Sequence, residues 1–371
     1  MSEYCIISDG SCDLPKDLAA KENITVVPFY VSFDEKNYMK ESVDIGVRDF
    51  YQKMVDNKGV FPKSSLPSVQ DYMEIFEPII KQGKGIVCIC ITSKFSGSLQ
   101  SATNAKNILL ETYPDAKIEV IDSMVNTVLQ GLFVLEAAKM CKAGVPMEAC
   151  VKELLDMRES GRIFFTIGSI DYLKHGGRIG KLSGLAASVL GIKPLITLKD
   201  GEIYNSGISR SRKASMAKVI ELLKQYIEER KIDMKKWQLC IGFGYDREEA
   251  VAFQKQILSE LGGIITEAEC PCFQIGATIS VHTGPYPIAL DLSESRRFVK
   301  IKNPSRVLPR SGIFYVIWIL NACKKLFGHM KCLCKCTDLI SQTYKPGFTA
   351  GWWNRCQRKH VAQNDILSAV T

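Results

Sequence analysis

The chain has 371 residues, 46% hydrophobic and 24% charged, the proportions of an ordinary soluble globular protein large enough for about two domains. Its formal charge of +8 is unevenly spread: residues 295–371 carry 14 Lys+Arg against 2 Asp+Glu, leaving 34 against 38 in residues 1–294. The body is therefore mildly acidic and the basic character belongs to the tail, which argues against a nucleic-acid-binding body.

In chain order, "YCIISD" (4–9) reads as a strand ending on Asp9. "ITVVPFYVSF" (24–33) reads as a second strand, rich in β-branched and aromatic residues. Helices are expected over 46–57 and 68–82, the second capped by Ser68. "GIVCICI" (85–91) is an unbroken apolar run, as in a strand covered on both faces. A helix over 97–113, strand 117–122, and helices over 126–142 and 146–159 complete a pattern that predicts a three-layer α/β/α domain with a mostly parallel sheet, residues 1–160.

Residues 161–291 read as an α+β domain with a mixed sheet. Strand 162–168 is followed by a sharp turn at Gly176–Gly177 in "SIDYLKHGGRIGK". Residues 192–208 form a hairpin with Asp200-Gly201 at its tip. Then come helix 213–230, strand 238–245, helix 247–261 and strand 263–270. Residues 292–371 fit neither style and read as an atypical, basic, poorly ordered tail, with a frameshift or read-through origin as one account. Its apolar run 312–320 is about half the length a membrane span needs. Cys323, Cys332, Cys334 and Cys336 lack the paired spacing of zinc sites, so no metal is expected. Of the 14 cysteines, nine lie in the body, mostly in apolar segments, as small buried hydrophobes. "MSEYCIISDG" has no basic start and no long apolar core, so a cytoplasmic, reduced protein is expected.

Four segments carry candidate chemistry. In "ITSKFSGSLQSA" (91–102) a buried strand runs into hydroxyls and Gly97 at a helix start. The first amides of a helix lack intrahelical partners and suit an anion, so Ser96 and the Gly97 amide could cradle a carboxylate or phosphate. Ordinary N-capping explains the same residues. "KSSLPSVQDY" (63–72) puts Ser64 and Ser65 on an exposed loop before a helix, as further donors or as capping residues. His282 follows a β-prone stretch in "ISVHTGP", and a structural role is the competing account. "HGGRIGK" (175–181) presents Arg178 to solvent, for a phosphate, an acidic partner surface or water alone.

"IISDGSCDLP" (6–15), "ITSKFSGSLQSA" (91–102), "YLKHGGRIGK" (172–181) and "VHTGP" (281–285), in this order and spacing, resemble the DegV family, with "IDS" (121–123) and "IKPLITLKDGEI" (192–203) in support. The resemblance covers about residues 1–288. It implies a two-domain protein that holds a long-chain fatty acid between its domains, with no other cofactor. It also implies that the chain presents the carboxylate to the ATP-binding subunit of a fatty acid kinase, for acyl-phosphate formation and phospholipid synthesis. By position Ser64, Ser96, Gly97 and His282 fall on the carboxylate-binding elements, and Arg178 falls on the turn implicated in partner contact. The chain departs from the family where Tyr286 and Pro287 replace glycines after "HTGP"; a frameshift or read-through that altered the last strand would damage the support of His282, and whether Tyr286-Pro287 impair its turn is left open by the sequence.

An acyl chain needs a dry apolar channel, for which Phe29, Phe95, Phe164, Phe165, Ile167 and Leu190 are candidates. A carrier without a complete active site is the leading reading. The alternatives are an acyl-ester hydrolase or transferase using Ser96 with His282, and a peripheral membrane adaptor working through the basic tail.

Overall fold

Thirteen strands and ten helices can be followed in a computed structural model that describes residues 3–187 and 191–295. The first half runs β1 (Tyr4–Asp9), α1 (Lys16–Lys21), β2 (Ile24–Val27), β3 (Tyr30–Ser32), β4 (Met39–Lys40), α2 (Val47–Asp56), β5 (Lys63–Ser65), α3 (Val69–Lys81), β6 (Gly85–Cys90), α4 (Ser98–Thr112), β7 (Ile118–Asp122), α5 (Thr127–Lys142) and α6 (Met147–Met157). Strands β2-β1-β6-β7 form a parallel sheet. All six residues of β6 are buried, as its unbroken apolar run predicts. Ser68 caps α3 through a reciprocal capping box with Asp71.

Two expectations are corrected here. Residues 24–33 are two strands, because Pro28 has no N–H to continue the ladder. β2 joins the parallel sheet, whereas β3 turns away into a small antiparallel sheet, β4-β3-β5. Ser64 and Ser65 are therefore on a strand, with Ser64 opposite Val31.

The second half runs β8 (Arg162–Thr166), α7 (Asp171–His175), β9 (Lys193–Lys199), β10 (Glu202–Ser209), α8 (Arg212–Glu229), β11 (Trp237–Phe243), α9 (Arg247–Glu260), β12 (Cys272–Gln274), α10 (Ala277–Thr283) and β13 (Ile288–Glu294). They build a mixed sheet, β10-β9-β8-β13-β11-β12, in which only β11 and β12 are parallel. The β9–β10 hairpin turns at Asp200-Gly201, both with positive φ.

Residues 263–270 are not a strand. Thr266 and Glu269 close a capping box that starts a short 3-10 turn, and pairing begins only at Cys272. His282 sits on helix α10, not at a strand end. β13 lies between β8 and β11 with Ile288–Ser293 buried, so the Tyr286-Pro287 departure leaves this support in place. Tyr286 instead packs edge-on against Tyr245, with centroids 6.3 Å apart. The basic tail and its cysteines lie outside the described residues, as does Leu190.

The chain is thus a two-domain α/β protein. One hydrophobic cluster lies under α8 and α9 on the outer face of the mixed sheet. Another joins Phe29, Ile91 and Leu129 from the first half to Phe165, Leu198 and Ile279 from the second, and so occupies the seam where the functional residues gather.

Candidate functional site

The hydroxyl-rich loop after β6 is held from below by Asp9. Its Oδ2 accepts from the Ile91 N–H (3.0 Å) and the Ser98 hydroxyl (2.7 Å). Its Oδ1 accepts from Ser11 (2.6 Å) and Gln130 (2.8 Å). Burial pushes this carboxyl up, against the pull of its four donors. Tyr72 extends the network to Ser98 at 2.6 Å. The Thr92 hydroxyl donates to the Gly201 carbonyl at the hairpin tip, which ties the loop to the second domain (3.0 Å). Two of the loop's hydroxyls, Thr92 and Ser98, are therefore structural. Ser96 Oγ accepts the Ser98 N–H (3.2 Å), which leaves its own proton available to donate.

A second element brings Ser64 of β5 to His282 of α10, Oγ to Nε2, at 3.1 Å. The imidazole backs onto Gly176. A Cβ there would stand 2.1 Å from Nδ1, so only glycine allows this approach. Nδ1 faces the Gly176 backbone without a well-aligned hydrogen bond. Burial pushes His282 down to about 3, and the Arg178 and Lys63 cations push the same way, so the ring is neutral at pH 7.

Arg178 closes the ring of polar groups. Its Nη1 donates to the Gly176 carbonyl (2.8 Å) and its Nε to the Phe95 carbonyl (3.1 Å), linking the α7 turn to the Ser96 loop. The turn forms because Gly177, at φ 68°, ends α7 with the Arg178 N–H returning to the Leu173 carbonyl.

Behind these groups lies a cavity of about 210 Å³. Ser64, Ser96, Arg178 and His282 line it together with Phe29, Phe95, Phe165, Leu198, Ile203 and Ala289. Gly97 does not line it: this residue is the exposed N-cap of α4, with Leu66 packed beside it. Phe164 and Ile167 do not line it either. Successive strand residues point to opposite faces, so Phe164 packs outward against Tyr226, 5.6 Å between centroids. Sequence reasoning missed Thr127 and Thr278, which line the cavity from the first turns of α5 and α10.

Such a site can hold a molecule with an apolar body and a hydrogen-bond-accepting head. Among the described residues no cluster of three His, Cys, Asp or Glu could hold a metal, and no helix is long and apolar enough to cross a membrane.

Residues 3–294 match the family model described as "Uncharacterised protein, DegV family". The chain belongs to the DegV family. A DegV domain-containing protein of Clostridium perfringens is 32% identical over 279 residues, 75% of this chain and 94% of the relative. Another, from Caldanaerobacter subterraneus subsp. tengcongensis, is 31% identical over 285 residues, covering 77% and 96%. Among solved structures, a stearic acid-binding protein from Eubacterium ventriosum is 44% identical with a TM-score of 0.74, over 78% of this DegV chain and 98% of its own. A fatty-acid-binding DegV family protein from Thermus thermophilus is 26% identical with a TM-score of 0.70, covering 79% and 100%.

Proposed function

We propose that this DegV-family protein binds one long-chain fatty acid in the cavity between its domains, taken as residues 1–160 and 161–291. The carboxylate is held by Ser64, Ser96 and His282. The observation that carries the reading is the pairing of an apolar cavity with a polar rim whose one histidine is neutral. Neutral donors can grip a carboxylate without protonating it, so it stays ionised and nucleophilic toward a phosphoryl group. The 44% identical stearic acid-binding neighbour supports the ligand class.

The chain then presents the carboxylate to a separate, ATP-using kinase subunit in the cytoplasm, with Arg178 in the contact and no cofactor of its own. That assignment rests on the family resemblance and on the exposure of Arg178 at the cavity. The partner converts the carboxylate to an acyl phosphate for phospholipid synthesis.

An ester hydrolase fits less well. The hydroxyl beside His282 is Ser64, not Ser96, and no carboxylate orients Nδ1. A ring with its pKa near 3 is also a weak general base at neutral pH.

The test is mass spectrometry of lipid extracted from purified protein, repeated after delipidation and incubation with free fatty acids. Equimolar fatty acid is expected. Protein that stays empty in both preparations, or rapid turnover of an activated acyl ester, overturns the reading.

A further inference from the structure

His282 can serve the carboxylate only if α10 is held still, and α10 is seven residues long with Gly276 at its N-cap. A glycine offers no side chain to satisfy the first amides of a helix. The partner comes from 236 residues earlier in the chain: Glu41 Oε1 accepts from the Ala277 N–H. Its Oε2 accepts from the Thr278 N–H (3.1 Å) and the Thr278 hydroxyl (2.5 Å). Thr278 and His282 are four residues apart, hence on one face of α10, and both line the cavity.

Glu41 is not alone. A Cβ placed on Gly276 would stand 2.3 Å from Asp13 Oδ1 and 2.5 Å from Glu41 Oε1, so less than the sum of those lengths separates the two oxygens. The other Asp13 oxygen accepts from the Thr127 hydroxyl at 2.6 Å, in the first turn of α5. Thr127 lines the cavity as well. The two carboxyls therefore bridge the helix starts that border the ligand space.

We propose that Asp13 and Glu41 form a positioning pair for His282: Glu41 caps the histidine's helix, and Asp13 holds Glu41 through one shared proton while gripping α5. The inference deepens the fatty-acid reading and rests on it for its role in binding.

The surroundings fit one proton between two acids. Tyr51 of α2, Thr127 of α5, Ala277 and Thr278 of α10 and, from β13, the buried acid Asp291 face the pair. Cys12, next to Asp13 in sequence, also faces it, and none of these groups is a cation; the exposed Lys16 of α1 lines the adjoining cavity but forms no salt bridge with either acid. Burial raises both carboxyls, and the Glu41 charge raises Asp13 further. Two buried carboxylates without a cation cannot both ionise cheaply. A folded-state pKa above the unfolded value means that the arrangement holds at low pH and weakens as pH rises through the last deprotonation. Two like charges would then face each other under α10.

The experiment compares the parent, Glu41→Gln and Asp13→Asn. It measures displacement of a fluorescent long-chain fatty acid between pH 6 and pH 9, and the His282 ring cross-peak in lipid-free protein by NMR. Glu41→Gln loses the charged cap and should bind about tenfold more weakly throughout, with the His282 cross-peak displaced. Asp13→Asn offers Glu41 a fixed N–H donor, so the alkaline fall of affinity seen in the parent should flatten. Thr278→Val removes one donor to Glu41 while keeping its volume, and should displace the same cross-peak if Glu41→Gln fails to fold. Parent-like binding and an unmoved cross-peak in Glu41→Gln, or a parent-like pH profile in Asp13→Asn, overturns the proposal. Parent protein that binds no fatty acid refutes the functional reading instead, while the lipid-free cross-peaks still decide the positioning role.

Discussion

Ser64 Oγ and His282 Nε2 stand 3.1 Å apart across 218 residues of sequence, one on a three-residue strand and the other on a seven-residue helix. Neither element is stable alone, so the contact exists only in the folded protein. On the proposed fatty-acid reading, this pair and Ser96 are the hydroxyl and imidazole groups that meet the carboxylate. Ser64→Ala and Ser96→Ala should each weaken fatty-acid binding by about 1.5–3 kcal/mol, the worth of one hydrogen bond to a charged group. Displacement titration measures this, and an affinity equal to the parent's would remove that serine from the clamp.

The neutral histidine has a pH signature. Its pKa falls from the ordinary 6.5 to about 3, so between those values the unfolded chain takes up a proton that the native state refuses. Stability should fall as pH drops through this window. Asp291 acts in the opposite sense: raised from 3.8 to about 8 by burial, it stays protonated in the native state and lowers stability as pH climbs through that range. Thermal melts of the parent and His282→Gln between pH 4 and pH 7 should show a shallower acid slope in the variant. Identical slopes would mean that the ring is already charged in the folded protein.

Arg178 bridges the α7 turn and the Ser96 loop while remaining exposed. Arg178→Ala should slow acyl-phosphate formation by the kinase subunit more than it weakens fatty-acid affinity. Parallel measurements of phosphorylation rate and dissociation constant separate the two effects. Equal losses would confine the arginine to the ligand.

Adjacent phenylalanines on β8 should behave differently. Phe165 lines the cavity and Phe164 packs under α8. Phe164→Ala should cost about 3–5 kcal/mol of stability through the hole it leaves in the outer core. Phe165→Ala should instead enlarge the ligand space and shift the preferred acyl chain, read by mass spectrometry of co-purified lipid. The same lipid profile in parent and Phe165→Ala would place the acyl chain elsewhere.

Local chemistry made much of this protein legible. The unbroken run of β6, the Asp200-Gly201 hairpin tip and the Ser68 cap each depend on residues within a few positions of one another, where period, turn geometry and capping operate. The ordered motifs pointed to the family for a similar reason, since each is a short contiguous loop at an element's end. Errors came where a distant partner decided the outcome. The stretch before His282 looks β-prone, yet Glu41 caps it into a helix from far upstream. Gly97 reads as a ligand-facing amide until Leu66 is found packed beside it and the residue is found outside the cavity wall.

The sequence by itself determined seven of the ten described helices and most of the strands, the change of style between the two halves, and the residue types available to hold a carboxylate, because these follow from neighbours along the chain. Only the tertiary structure decided that the Ser98 and Thr92 hydroxyls of the 92–98 loop serve Asp9 and the hairpin tip, that Ser64 rather than Ser96 meets His282, and that two acids share the space beneath α10. Burial and proximity set those roles, and both are properties of the packed seam that no stretch of chain possesses before the domains close upon each other.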